Sequence, residues 1–100
     1  MNPPIVRLQI TEAVYFSAGD EDAFFKWLGS LPCVVGLQGQ LRALNVDIDA
    51  SRVDEMCLRE LLALFHRYGI ALKALAVFDC EEFAPWFRLP HAYWYQEVFG

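Results

Sequence analysis

The spacing of apolar positions changes period several times along this chain, and each change predicts an element. Residues 5–10 and 12–17 are rich in β-branched and aromatic side chains, so they read as one long strand or two short ones. Ser17-Ala18-Gly19 breaks that pattern. Asp20 then suits a helix N-cap, with Glu21 and Asp22 adding charge that favours the positive end of the helix dipole. Phe24, Trp27, Leu28 and Leu31 follow at helical spacing, and Gly29 and Pro32 end the run. Residues 34–38 and 41–48 flank Gly39-Gln40, a pair that suits a two-residue type II′ hairpin turn. In the second arm Leu44, Val46 and Ile48 alternate with Asn45, Asp47 and Asp49, the signature of a half-buried strand.

The clearest helix comes next. Ser51-Arg52-Val53-Asp54 has the form of a capping box, with helix starting near Val53. Leu58, Leu61, Leu62, Phe65 and Tyr68 line one face, and Gly69 suits a left-handed C-cap. A strand is expected over 72–78, with Leu75 and Val77 on one face. The resulting order is that of a ferredoxin-like β-α-β-β-α-β fold, an α+β antiparallel sheet with two helices on one face. Phe83, Trp86, Phe87, Tyr93, Trp94, Tyr95 and Phe99 then form an aromatic-rich C-terminal extension. It is expected to cover the open sheet face or an edge, unless Trp94 and Tyr95 form an exposed hot spot for a partner. The chain reads as a single domain over 1–100, with an α+β core over 1–79 and the extension over 80–100.

Composition narrows the function more than the fold. The apolar share is 56%, above the usual range of about 45–50%, which excludes disorder. The net charge of −5 opposes direct binding to nucleic acid or an anionic membrane, and the eight Lys and Arg form no run. Cys33, Cys57 and Cys80 are too widely spaced for a metal or redox pair and suit small core residues in a reducing compartment. The N-terminal residues lack a charged leader followed by an apolar run, and no apolar stretch approaches the roughly 20 residues of a membrane span. A cytoplasmic location is expected.

No constellation for chemistry emerges. His66 sits with Arg59 and Ala63 on the polar side of its helix, and His91 follows Pro90; neither has ligands at metal spacing. The glycines form no phosphate loop. Residues 39–46 lack the stacking aromatics of an RNA-recognition motif. Asp47 and Asp49 alternate on one strand face like a paired-carboxylate site, but no histidine or third carboxylate accompanies them. No cofactor, metal or catalytic activity is expected.

The acidic residues are the candidate binding chemistry. Ten of thirteen fall in three clusters: Asp20 to Asp22; Asp47, Asp49, Asp54 and Glu55; and Asp79, Glu81 and Glu82. Helix capping accounts for most of the first. In a ferredoxin-like fold the third and fourth strands end at the same pole, which would gather the other seven carboxylates against their mutual repulsion. Such a pole fits a cationic partner. The candidate partner-binding set is therefore Asp47, Asp49, Asp54, Glu55, Asp79, Glu81 and Glu82, with Trp94 and Tyr95.

Several stretches together carry a family likeness: residues 20–28 (DEDAFFKWL), residues 58–68 (LRELLALFHRY), Trp86-Phe87, Tyr93-Trp94-Tyr95 and Val98-Phe99. In these the chain resembles small immunity proteins of bacterial polymorphic toxin systems, including contact-dependent growth inhibition. The resemblance implies a cytoplasmic protein that binds and blocks the toxin domain of its cognate effector, commonly a nuclease, and is a monomer or weak dimer when free. The quoted residues are core and cap positions, so no binding residue carries over from it. An alternative is a homodimeric ligand-sensing or regulatory module of ferredoxin-like fold.

Overall fold

Strand β3 (Ala43–Asp49) lies between β1 (Ile5–Ile10) and β2 (Val34–Gln40) and is antiparallel to both. The computed structural model describes residues 4–40 and 43–100. Register explains the central place of β3. Val6, Leu8 and Ile10 pair with Ile48, Val46 and Leu44, so the apolar residues of both strands share the buried face. Arg7, Gln9, Asn45, Asp47 and Gln38 share the opposite face, which is polar. A bulge at Val34/Gly36 sets Val35 outside the pairing, and its side chain is half-exposed.

Two helices of equal length pack on the buried face. Helix α1 (Ala18–Ser30) buries Phe24 and Leu28. Helix α2 (Glu55–Arg67) buries Cys57, Leu58, Leu61, Leu62, Leu64 and Phe65. At about 100° per residue those six positions sweep an arc of roughly 160°, wider than packing against one neighbour needs. The second neighbour is the C-terminal half. A 3-10 stretch (Leu72–Phe78), a one-turn helix α3 (Ala84–Phe87) and a short α4 (Tyr95–Phe99) come after α2 and pack beside it. The overall extents are 37 × 37 × 19 Å. The thin dimension matches one sheet plus one helical layer at about 10 Å each.

The architecture is therefore α+β with a three-stranded antiparallel sheet, and the expected fourth strand is absent from it. Residues 72–78 wind into 3-10 helix instead. Leu72, Leu75 and Phe78 are buried, whereas Lys73, Ala74 and Val77 are exposed. That is a period of three, the repeat of a 3-10 turn, in which side chains three apart line up on one edge. The expected pairing of Leu75 with Val77 on one face fails for this reason. Ala71, Ala74 and Ala76 contribute no β-branched bulk that would favour extension.

Four further expectations change. Residues 12–17 form no strand; the Val14 amide donates to the Tyr68 carbonyl, tying this segment to the end of α2. The N-cap of α1 is Ser17, whose hydroxyl accepts from the Asp20 amide at 3.1 Å, while the Asp20 carboxylate accepts from the Phe16 amide at 3.0 Å. The N-cap of α2 is Asp54 itself, with Oδ1 accepting from the Cys57 amide at 2.8 Å; Ser51 belongs to a preceding 3-10 turn. Gly39 and Gln40 are not the hairpin turn, because they pair with Leu44 and Ala43. The two residues that join the strands lie outside the described ones.

The aromatic extension covers neither the open sheet face nor a sheet edge. Phe83, Phe87, Trp94 and Val98 are buried in the same apolar cluster as α2 and the 3-10 stretch. Loss of the fourth strand left that side of α2 uncovered, and the extension fills it.

Candidate functional site

The seven carboxylates expected to converge on a cation-seeking pole are mostly engaged within the chain. Asp47 makes two hydrogen bonds to Arg7 across the β1–β3 ladder, Nε to Oδ1 at 2.7 Å and Nη2 to Oδ2 at 3.0 Å. These bonds hold the Asp47 carboxyl below its ordinary range and raise the Arg7 guanidinium. Gly36 lies opposite and gives the carboxylate room: a Cβ there would stand 3.2 Å from Oδ2. Asp49 is 7% exposed. Its Oδ1 accepts from the Ser51 amide and hydroxyl at 3.0 and 2.6 Å, and Arg52 lies 3.7 Å from Oδ2. Although Asp47 and Asp49 alternate along one strand, they therefore serve different partners and form no paired acid–base site.

Asp54 caps α2, and the Cys57 amide hydrogen bond keeps its carboxyl below the usual range. Glu55 pairs with Arg59 one turn on, Nε to Oε2 at 2.9 Å. Asp79 takes a two-pronged contact from Arg88, with Nε to Oδ1 at 3.1 Å, which raises the Arg88 guanidinium. Glu81 and Glu82 differ from these five. Both are exposed, and neither has an ion-pair partner among the described residues. They sit on a turn fixed by hydrogen bonds from the Phe83 and Ala84 amides to the Cys80 carbonyl. Glu12, Glu21 and Glu60 likewise lack an ion-pair partner among the described residues. Asp20 and Asp54 also lack an ion-pair partner among the described residues, but their carboxylates accept backbone amides at helix starts, whereas the Glu81 and Glu82 carboxylates accept no hydrogen bond from a described side chain or amide.

Trp94 is a core residue: it is 7% exposed, and its indole Nε1 donates to the Phe87 carbonyl at 2.8 Å. Tyr95 is half-buried beside Phe99, ring centres 5.4 Å apart. Trp94 therefore presents no exposed anchor. Arg59 and His66 are exposed, as expected for the polar side of α2, and there they also meet the extension. The Arg59 guanidinium stacks on Trp86, and His66 lies 5.1 Å from the Tyr93 ring and 3.6 Å from Glu97.

Cys33 and Cys57 are buried and free, whereas Cys80 is exposed, so only two of the three fit the core reading. Burial, reinforced by neighbouring Cys57, pushes the Cys33 thiol up to about 12. Among the described residues no three His, Cys, Asp or Glu side chains are grouped closely enough to hold a metal ion. No helix among them is long and apolar enough to cross a membrane.

Two features are not anticipated by the sequence patterns. Phe16 is 89% exposed, with its backbone pinned by the Asp20 carboxylate. Along 13–16, Ala13 and Tyr15 are partly buried while Val14 and Phe16 are exposed, an alternation that belongs here to no strand. The second is a cavity of about 250 Å³ between the end of β1, the start of α1 and the β2–β3 hairpin. Ile10, Tyr15, Phe25 and Leu44 wall it, and Glu21 is the charged residue among those that line it.

Comparisons with protein families, with curated proteins and with solved structures find no match to this chain.

Proposed function

We propose that this chain is a non-catalytic inhibitor, an immunity protein that binds and neutralises a basic bacterial toxin domain, in the first instance a nuclease. One observation carries the reading: Glu81 and Glu82 are exposed on a hydrogen-bonded turn without an ion-pair partner among the described residues, a few residues after exposed Val77 in the chain. Nuclease clefts are lined with cations that bind phosphate, and carboxylates on a preorganised turn can meet them with little ordering cost. The net charge of −5 speeds the encounter with such a cleft. Glu55 and Asp79 are already paired with arginines, and Asp47, Asp49 and Asp54 hold contacts within the fold.

Co-expression with the toxin domain encoded beside this chain's gene tests the reading. The expected result is restored growth and a stoichiometric complex on gel filtration. Growth arrest by every neighbouring toxin despite co-expression would remove it.

The order β1-β3-β2, with β1 and β2 running together against β3, also supports a ferredoxin-like ancestry in which the 3-10 stretch stands where the fourth strand would come after α2. The second reading, which this ancestry leaves open, is a homodimeric ligand-sensing or regulatory module of ferredoxin-like fold. A concentration-independent monomer in sedimentation would dismiss that alternative.

A further inference from the structure

Twice in this fold a guanidinium is held by the same pair of groups, one aromatic ring and one carboxylate. Arg59 stands 4.3 Å from the centre of the Trp86 ring and bonds to Glu55 at 2.9 Å. Arg88 stands 4.7 Å from the centre of the Phe99 ring and bonds to Asp79 at 3.1 Å. The cavity at the start of α1 repeats this pairing without a cation among the described residues. Tyr15 and Phe25, with ring centres 6.5 Å apart, form its aromatic wall, and Glu21 supplies its carboxylate. Among the described residues Glu21 has no ion-pair partner.

We propose that this cavity receives the arginine side chain of a partner protein, completing a third ring–carboxylate–guanidinium arrangement with Tyr15, Phe25 and Glu21. Size limits the occupant: about 250 Å³ is below the roughly 300–1,000 Å³ of sites for drug-sized ligands and suits one long side chain. Polarity sets its two ends. Ile10 and Leu44 are buried at the apolar floor against which a methylene stem packs, while Glu21 and Thr11 are exposed and polar. Charge sets its sign: Glu21 is the charged residue in the lining, whereas Asp22 is paired with Lys26 and Asp20 accepts the Phe16 amide. Burial first, and then the Glu21 charge, raises the Tyr15 phenol, which fits a site that disfavours a second anion. A planar, weakly hydrated guanidinium stacks on such rings better than an ammonium does. The assignment rests on the chain being a protein-binding domain, but it concerns a site separate from the Glu81–Glu82 turn.

The test is an NMR titration of the intact chain with N-acetyl-arginine-amide, which needs no toxin and so fails or succeeds independently of the immunity reading. The expected result is saturable shifts of Tyr15, Phe25, Gly39 and Leu44, with dissociation on the order of 10 mM. N-acetyl-lysine-amide should bind more weakly, and N-acetyl-norleucine-amide should give no saturation. Glu21→Gln should weaken arginine-amide binding by about threefold to fivefold, with Trp27 and the β3 amides unshifted as evidence of an intact fold. Equal binding of the norleucine or lysine probe, or an unchanged Glu21→Gln variant, overturns the proposal. So does binding that emerges only in Arg42→Ala, which would make the chain's own arginine the occupant.

Discussion

Arg59, on the exposed side of α2, lies with its guanidinium 4.3 Å from the centre of the Trp86 ring, joining the central helix to the C-terminal extension. Trp94 stands edge-on to Trp86, 5.8 Å from the same guanidinium. Replacing Arg59 with Ala removes both the stack and the ion pair with Glu55, and should lower stability by about 1 kcal/mol in urea denaturation. Arg59→Lys keeps the charge but not the planar stack and should recover less than half of the loss. Full recovery by Lys would mean that charge alone matters here.

Deletion of residues 83–100 should unfold the chain. It removes buried Phe83, Phe87, Trp94 and Val98 and uncovers Leu72, Leu75 and Phe78. Phe87→Ala alone should cost about 3–5 kcal/mol, against a total of about 5–15 kcal/mol for a domain. A truncated chain with a sharp thermal transition at the original temperature would show that the extension is dispensable.

Acid should weaken the fold through Asp54 and Asp47. Both carboxyls are held below their unfolded range, Asp54 by the Cys57 amide and Asp47 by Arg7. A depressed folded value means that the contribution is present above the unfolded value of about 3.9 and is lost as pH falls through the folded one. Asp54→Asn, which keeps a capping oxygen but no titrating proton, should therefore flatten the fall in urea midpoint below pH 4. A fall as steep as in the parent would assign it to other groups.

The thiols should divide by burial. Exposed Cys80 should react with a disulfide reagent at pH 8 within minutes, while Cys33 and Cys57 react only on unfolding. Because the Cys33 thiol is raised to about 12, its contribution is intact below about pH 8.5 and is lost as pH rises toward 12. Three thiols reacting together in the native protein would contradict this core.

Charge reversal separates the glutamates from the aspartates. Glu81→Lys with Glu82→Lys should slow association with a basic partner, and the slowing should shrink as salt shortens the screening length to about 8 Å. Asp47→Asn, at a carboxylate already paired with Arg7, should leave association unchanged and act on stability instead. Equal effects on association would restore the wider acidic pole as the binding surface.

Three strands, two long helices and the inward face of β3 could be read from spacing, because the alternation of Leu44, Val46 and Ile48 and the stripe on α2 obey single periods. The stretch 72–78 misled because LKALAVF permits both alternation and a period of three. The choice depends on whether α2 or a strand edge receives Leu72, Leu75 and Phe78, a tertiary question. The partners of the acidic residues were hidden for a related reason. Sequence counts carboxylates but does not show which amides and arginines they meet, so Asp49 read as surface charge although it holds a 3-10 turn, and Asp54 as the far end of a capping box although it is the cap itself. The cavity at Glu21 needs three segments brought together, and no local pattern announces it.

Replacement of the last strand by helical turns also shapes the order of events in folding. Among the described residues every strand pairing is made by Asp49, and the segments C-terminal to α2 pack largely on α2 and on one another. Closing β1 onto β3, which joins the start of the chain to its middle, is then the slow search, whereas the extension needs only short-range contacts once α2 exists. Lesions in β1 or β3 should appear in the rate of refolding, and lesions in the aromatic extension in the rate of unfolding. A fold built this way would come apart first at its aromatic extension, and that segment would set its lifetime against proteolysis.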